Sequence, residues 1–318
     1  MELLYSIFVA PFADMASDPS FVTQVLWDGF VQGTLYALIA LGFVLIFKAS
    51  GVFNFAQGIL VVFSVLILVG LFEAGVPAWL ALVLTIGALW LMAVGIERIV
   101  LRPLVNQHDA ILLMATIGLA RFLTGAGQFI FGGENKAMIT EELGLPIGTT
   151  EADLFGGVVF FEHLDIAAVV IAATMVGLVA WFFRTTRVGR ALRAVADDHQ
   201  AALSVGISLN QIWAIVWFAA GIVALVTGIM WGARSDVSFA LEIIALKALA
   251  VLIIGGFTSI PGAIIAGIAV GVIEKLFEIY WGPLMGGGVE AWFAYLLALV
   301  FLLFRPQGLF GEKIIERI

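Results

Sequence analysis

The sequence predicts an all-α, polytopic membrane protein built as a single helical bundle over residues 1–318. Three observations carry this expectation. Of the 318 residues, 63% are hydrophobic and only 12% charged, about half the charge of a soluble domain. Mean hydropathy is +1.14. Apolar runs of roughly 20 residues, enough to cross a bilayer as helix, recur along the chain. They lack the alternation in segments of about ten residues that marks a membrane β-barrel.

Nine runs read as spans, at about 21–47, 58–73, 77–99, 110–131, 164–183, 211–231, 241–255, 262–280 and 290–304. Residues 1–20 show no basic n-region and carry Asp14 and Asp18. They are expected as an interfacial helix rather than a secretory leader. In the first span Gln24, Asp28, Gln32 and Tyr36 follow at i+4 steps and so share one face. That stripe suits either an amphipathic solute or helix–helix hydrogen bonding. Gly29 and Gly33 form a small-xxx-small pair beside it, which lets another helix come close. Ala263, Gly267 and Gly271 make a similar packing ladder on the eighth run.

Two interruptions stand out: LIFKASGVFNFAQG at 45–58 and LIIGGFTSIPGAIIAG at 252–267. Each fits an ordinary inner turn or a broken, re-entrant segment. Irregular backbone at membrane depth must be buried in protein or line a cavity. Interruptions paired between two halves point to a pathway and an inverted repeat. With the second, seventh and ninth runs short, the expectation is about eight to nine spans with two broken or re-entrant segments.

Three ionisable residues, Arg121, Lys247 and Glu274, fall inside spans and must face protein or water. Arg121 is expected to pair with a carboxylate such as Asp28 or Glu97, with attraction of an anionic solute as the other reading. Lys247 is expected to tie helices together.

Basic residues set the orientation. With the C-terminus cytoplasmic, the inner segments hold ten: Lys48, Arg98, Arg102, Arg184, Arg187, Arg190, Arg193, Arg305, Lys313 and Arg317. The outer segments hold two, Lys136 and Arg234. The N-terminus is therefore expected outside, and Lys48 reads as a topology marker. The long outer loop, about 132–163, is acidic. The long inner segment, about 184–210, carries four arginines and then a helix-prone stretch, 190–205, that Gly206 is placed to cap. It reads as a docking element or as a basic juxtamembrane loop.

There is no cysteine, the three histidines are scattered, and no G-x-x-x-x-G-K-[ST] run occurs. No metal site and no ATP site are expected in this chain, and it is not expected to be an enzyme.

Several stretches resemble one family. QAALSVG at 200–206 is similar to the EAA-x-x-x-G loop of ABC-importer permeases, with Gln200 in place of Glu. GRALRAVADD (189–198), GFVQGTLYALIALG (29–42), FNFAQG (53–58) and ALKALAVLIIGGFTSIPGAIIAG (245–267) resemble the branched-chain amino acid permease family, LivH type. The likeness runs over about 29–310. Gln57 stands where the family commonly has His, which bears on the substrate, and GGFTS stands where the family often has GG-x-GS. The resemblance implies a pore made with a second permease subunit, two cytoplasmic ATPases that use the ATP, and a periplasmic binding protein, in the cell inner membrane with no nucleic acid. It implies branched-chain or other hydrophobic amino acids as cargo, with urea, short amides or aromatic acids as alternatives. An ion-coupled transporter acting alone is the competing class. The coupling residues implied are Arg190, Arg193, Asp197, Asp198, Ala201, Ala202 and Gly206. The pathway residues are Asp28, Gln32, Tyr36, Asn54, Phe55, Gln57, Gly58, Gly255, Gly256, Ser259 and Gly262.

Overall fold

The computed structural model describes residues 2–104, 107–197, 204, 206 and 208–311. Two short helices, α1 (Glu2–Phe8) and α2 (Ala10–Ser17), precede α3 (Pro19–Ser50). Then come α4 (Gln57–Glu73), α5 (Ala78–Ile96), α6 (Asp109–Phe131) and the short α7 (Ile139–Glu142). After these follow α8 (His163–Thr185), α9 (Arg187–Asp197), α10 (Leu209–Ser235), α11 (Leu241–Gly255), α12 (Ile260–Tyr280) and α13 (Glu290–Phe304). Helices thus fill all nine predicted runs. Among the described residues six segments are long and apolar enough to cross a membrane, and the chain is a polytopic helical membrane protein.

One element corrects the all-α expectation. The acidic loop folds as an antiparallel hairpin of β1 (Thr149–Leu154) and β2 (Gly157–Glu162). Phe155 and Gly156 both have positive φ, 55° and 84°, as two-residue hairpin turns require. The N-terminal stretch also differs, being two helices rather than one. Trp281 donates its indole N–H to the Ile7 carbonyl at 3.0 Å, holding α1 beside the end of α12.

The helices α3 and α10 form the centre. Their apolar windows are 83% and 72% buried, against 22–28% for α5, α6 and α8. A helix buried all round needs no apolar stripe, and apart from the Gln24, Asp28, Gln32 and Tyr36 face of α3 both read as apolar all round. The outer helices expose apolar faces suited to lipid or to other chains.

Around this centre the chain runs twice through the same path with opposite sense. From the hairpin end, α3 descends to Ser50. The short α4 starts inside the bundle and climbs to Glu73, where Lys136 pairs with Glu73 at 2.5 Å; α5 then descends and α6 climbs. In the second set α10 climbs, and the short α11 starts inside the bundle and descends. Then α12 climbs to Tyr280, and α13 descends. Four helices against four, with every direction reversed, is an inverted repeat, and α8 and α9 join the halves. The half-helices α4 and α11 have 17 and 15 residues, short of the roughly 20 that cross a bilayer.

The seam between α3 and α12 is made of the predicted small residues. A Cβ on Gly33 would meet the Gly267 carbonyl oxygen at 2.5 Å, and one on Gly29 the Val272 Cα at 2.7 Å. Gly267 lies against Ala37, and Gly271 against Gly33 and Gly29. Ala263, one turn before Gly267 on α12, is buried in the same apolar cluster as Ile39, Ala40 and Phe43 of α3, and its backbone also lies against Gly255.

Candidate functional site

The first interruption re-enters the bundle. Gly51, at φ 71°, ends α3 in the left-handed conformation that glycine adopts without strain. Six residues later Gln57 lies against Gly42, eight residues before the end of α3, or about 12 Å up that helix. Gln57 Nε2 also donates to the Ala220 carbonyl at 3.5 Å, eleven residues into α10. The chain at 51–56 therefore turns back inside the protein before α4 begins.

Its backbone groups are met locally, as burial demands. The Asn54 side-chain oxygen accepts from the Ala56 N–H at 3.0 Å. The Thr116 hydroxyl of α6 accepts from the Phe55 N–H at 3.3 Å and donates to the Phe53 carbonyl at 3.4 Å. Phe53 stacks on Phe43 at 4.9 Å and meets Phe55 edge-on at 4.7 Å. Asn54 and Gln57 are buried, and Asn54 Nδ2 and Gln57 Oε1 are without hydrogen-bond partners among the described residues.

The counterpart of this break is not 252–267. It is 236–240, between α10 and α11. Val237 packs on Gly232, Phe239 on Gly127, and Glu242 reaches Gly58, whose Cβ would stand 3.3 Å from the Glu242 carbonyl oxygen. The first turns of α4 and α11 thus meet mid-bundle, and the two half-helices leave in opposite directions. By contrast 256–259 is a close turn. Gly255 abuts Gly262, and Ser259 Oγ caps α12 by accepting from the Gly262 N–H at 3.0 Å. Leu309 and Phe310 donate backbone N–H groups to the carbonyls of Ile254 and Gly255 at 2.7 and 3.2 Å. Gly255, Gly256 and Gly262 are thus closely packed by turn and tail, while Ser259 caps α12 at the edge of an open cavity.

The stripe on α3 divides. Gln24 Nε2 donates to Asp28 Oδ1 at 2.9 Å, and Gln24 Oε1 accepts from the Phe160 N–H of the hairpin at 2.8 Å. This upper part secures the hairpin, and Asp28 is only half-buried. Deeper down, Gln32 Nε2 donates to Tyr36 Oη at 2.7 Å and to Glu274 Oε1 at 3.2 Å. Lys247 Nζ meets Glu274 Oε1 at 2.8 Å and Tyr36 Oη at 3.3 Å. Glu274 is wholly buried, and its Oε2 has no hydrogen-bond partner among the described residues. Tyr36 also stacks on Trp231 at 5.9 Å. One ion pair with two polar neighbours therefore joins α3, α11 and α12 at mid-depth. Lys247 and Glu274 stood out in the sequence as charges inside spans; their pairing across 27 residues did not.

Arg121 pairs with neither Asp28 nor Glu97. Glu97 is buried and bound to Arg102 at 2.9 Å. Arg121 Nη1 lies 3.6 Å from Glu242 Oε1, because the re-entrant chain brings the start of α11 against α6. No periodicity within α6 could have revealed a partner on another element.

At the other end α9 folds back on α8. Arg190 and Arg193 donate to the carbonyls of Thr185 and Phe183 at 3.1 and 2.5 Å, favourable partners for a helix C-terminus. Gly189 fits against the Phe183 backbone, and Leu192 and Val195 are buried. Gly206 has φ 83°, the left-handed state of a capping glycine. Asp197 closes α9; Asp198, Ala201 and Ala202 lie outside the described residues. A cavity of about 790 Å³ opens here, lined among others by Lys48, Arg184, Arg193 and Ser259.

Residues 25–305 match the family described as branched-chain amino acid transport system, permease component. The high-affinity branched-chain amino acid transport system permease protein LivH of Salmonella typhimurium is 28% identical over 308 residues, covering 93% of this chain and 97% of that protein. BraD of Pseudomonas aeruginosa, of the same description, is 29% identical over 306 residues with the same coverage. A probable LivH permease of Methanocaldococcus jannaschii is 27% identical, covering 91% and 92%.

Proposed function

The chain belongs to the branched-chain amino acid permease family, and from this we propose that it is the transmembrane subunit of a binding-protein-dependent ABC importer for branched-chain or other hydrophobic amino acids. The observation that carries the reading is the pair of half-helices whose N-termini meet mid-bundle, in a chain of this family. Discontinuous helices that start at mid-depth between inverted repeats are where transporters place their substrate sites.

The complex proposed holds a second permease subunit, two cytoplasmic ATPases and a periplasmic binding protein. The arginine-rich end, with α9 and the residues up to Gly206, faces the cytoplasm and meets an ATPase. The hairpin end faces outward toward the binding protein. Closure of the ATPases moves the coupling segment, and the bundle rocks about the fixed meeting point of α4 and α11. The substrate passes Gln32, Tyr36, Asn54, Phe55, Gln57 and Gly58. The arrangement of Arg190 and Arg193 on the end of α8 supports a coupling role, since force on α9 reaches a long helix directly.

The test is reconstitution of the assembled complex in proteoliposomes with labelled leucine. Uptake is expected to need both ATP and binding protein. Uptake by this chain alone, indifferent to ATP, overturns the reading in favour of ion coupling. Urea, acetamide and benzoate in parallel decide among cargo classes. Ala202→Glu is expected to abolish ATP-driven uptake while the permease remains folded.

A further inference from the structure

Arg121 sits midway along the 23-residue α6, yet its side chain is 70% exposed at the surface of this chain. In a spanning helix that position lies about 15 Å from either edge of the hydrocarbon, too far for a side chain to reach a headgroup. A charge there must meet protein or water. At 3.6 Å from Glu242 the pair is longer than a hydrogen bond, so most of the five guanidinium donors remain open outward.

The helix surface on either side of Arg121 is open. Gly118 and Gly125 flank Arg121 on the same exposed face, and nothing lies within 4 Å of a Cβ placed on either. Gln128 continues the face one turn on. Glu242 is nearly buried, at 13%. It is held from the other side by the Thr124 hydroxyl at 3.3 Å, in the first turn of α11. Beside this polar strip α6 also exposes Met114, Phe122 and Phe129, and its inverted counterpart α13 exposes Trp292, Leu296, Leu299 and Leu303. Only one of the two related faces carries charge, and it lies beside the meeting point of the half-helices.

We propose that this face of α6 lines the translocation pathway and that Arg121 and Glu242 receive the two charged ends of a zwitterionic amino acid. The guanidinium takes the α-carboxylate, and the Glu242 carboxylate takes the α-ammonium. The cargo's side chain lies over Gly118 or Gly125. The pair is loose enough to open, and when it re-forms it neutralises itself, so the substrate is released rather than trapped. This assignment rests on the amino-acid importer reading.

The chain has no cysteine, so single thiols report on exposure directly. In the assembled importer with cysteine-free partners, Arg121→Cys, Gly125→Cys and Leu303→Cys are treated with a trimethylammonium methanethiosulfonate. The first two thiols are expected to react and the third to stay inert, with leucine-loaded binding protein and ATP slowing reaction at position 121. In uptake, Arg121→Ala and Glu242→Gln are expected to lower leucine transport about tenfold, the loss of one charge-assisted hydrogen bond, while Arg121→Lys retains much of it. An inert thiol at position 121, or wild-type uptake by Arg121→Ala, overturns the proposal. So does loss of the assembled complex in both Arg121→Ala and Arg121→Lys, which marks a subunit contact. A wild-type complex that takes up no leucine, isoleucine or valine overturns the amino-acid reading itself, and the thiol reactions still decide whether the face is wet.

Discussion

The two halves of the repeat trace one path but are secured by different means. In the first half the break at 51–56 is closed by side chains: Asn54 caps the Ala56 N–H, Thr116 bridges two backbone groups, and Phe53 and Phe55 anchor the turn. In the second half the break at 236–240 is closed by backbone, with Val237 and Lys136 exchanging both amide bonds at 2.9 and 3.0 Å. Each half-helix starts on the same kind of turn, Gln57 N–H to the Asn54 carbonyl and Leu241 N–H to the Ser238 carbonyl, at 3.3 and 3.2 Å. The common geometry is thus a matter of backbone, and the halves differ in the side chains they contribute. The ion pair of Lys247 and Glu274 and the carboxylate of Glu242 all belong to the second half. The amides of Asn54 and Gln57 belong to the first.

The sharpest way to separate the halves is to break the charge pair. Lys247→Met leaves Glu274 without its cation in the middle of the bundle, which is expected to destabilise the protein by about 3–5 kcal/mol. Thermal unfolding in detergent, followed by gel filtration, measures it. Lys247→Met with Glu274→Met should recover most of the loss, because burying neither charge is better than burying one. No recovery would mean that Gln32 and Tyr36, rather than the pair, set the local structure.

The next comparison is between the two related seams. Gly271, between α3 and α12, faces backbone at close range, whereas a Cβ on Gly221, between α10 and α5, would only reach Leu89 at 3.8 Å. Gly271→Ala is expected to cost about 1–3 kcal/mol through overpacking. Gly221→Ala should be neutral, or stabilising by up to about 1 kcal/mol through helix propensity. Equal unfolding temperatures for the two variants would show that the seams are alike.

A smaller effect is expected at the first break. Asn54→Leu removes one acceptor, worth about 1 kcal/mol, and should lower uptake while the complex assembles at normal yield. Ser238→Ala, at the matching place in the second half, should be silent in the same uptake assay, since only its backbone carbonyl is used.

Much of this architecture was legible in the chain, for reasons that can be named. Hydropathy marks helices because lipid rewards only closed backbone hydrogen bonding. KASGVFNFAQG declared itself through Gly51 and through the polar residues Asn54 and Gln57 set between apolar runs. The second break hid in SDVSFA at 235–240 because that stretch looks like any short loop. Its depth depends on Glu242 reaching Gly58, a contact between residues 184 positions apart that no local pattern encodes. The stretch that imitated a break, GGFTSIPG, has the same Gly and Pro content because tight turns and broken helices need the same backbone freedom. Of the site, Gln32 and Tyr36 were readable as a stripe, but that they serve Glu274 and Lys247, rather than sharing one role with Gln24 and Asp28, follows only from the crossing of α3 and α12.

The bonds from Leu309 and Phe310 to the carbonyls of Ile254 and Gly255 have a consequence in time. A ribosome delivers these residues after every helix of the second half. Until they arrive, the lower end of α11 has open carbonyls, and a helix of 15 residues has little claim to a transmembrane position of its own. The half-helix is therefore expected to wait, loosely seated, through the synthesis of α12 and α13, and to be locked only when the tail folds under it. Biogenesis would then run opposite to sequence order at this point, with the element at the heart of the second half among the last to become rigid.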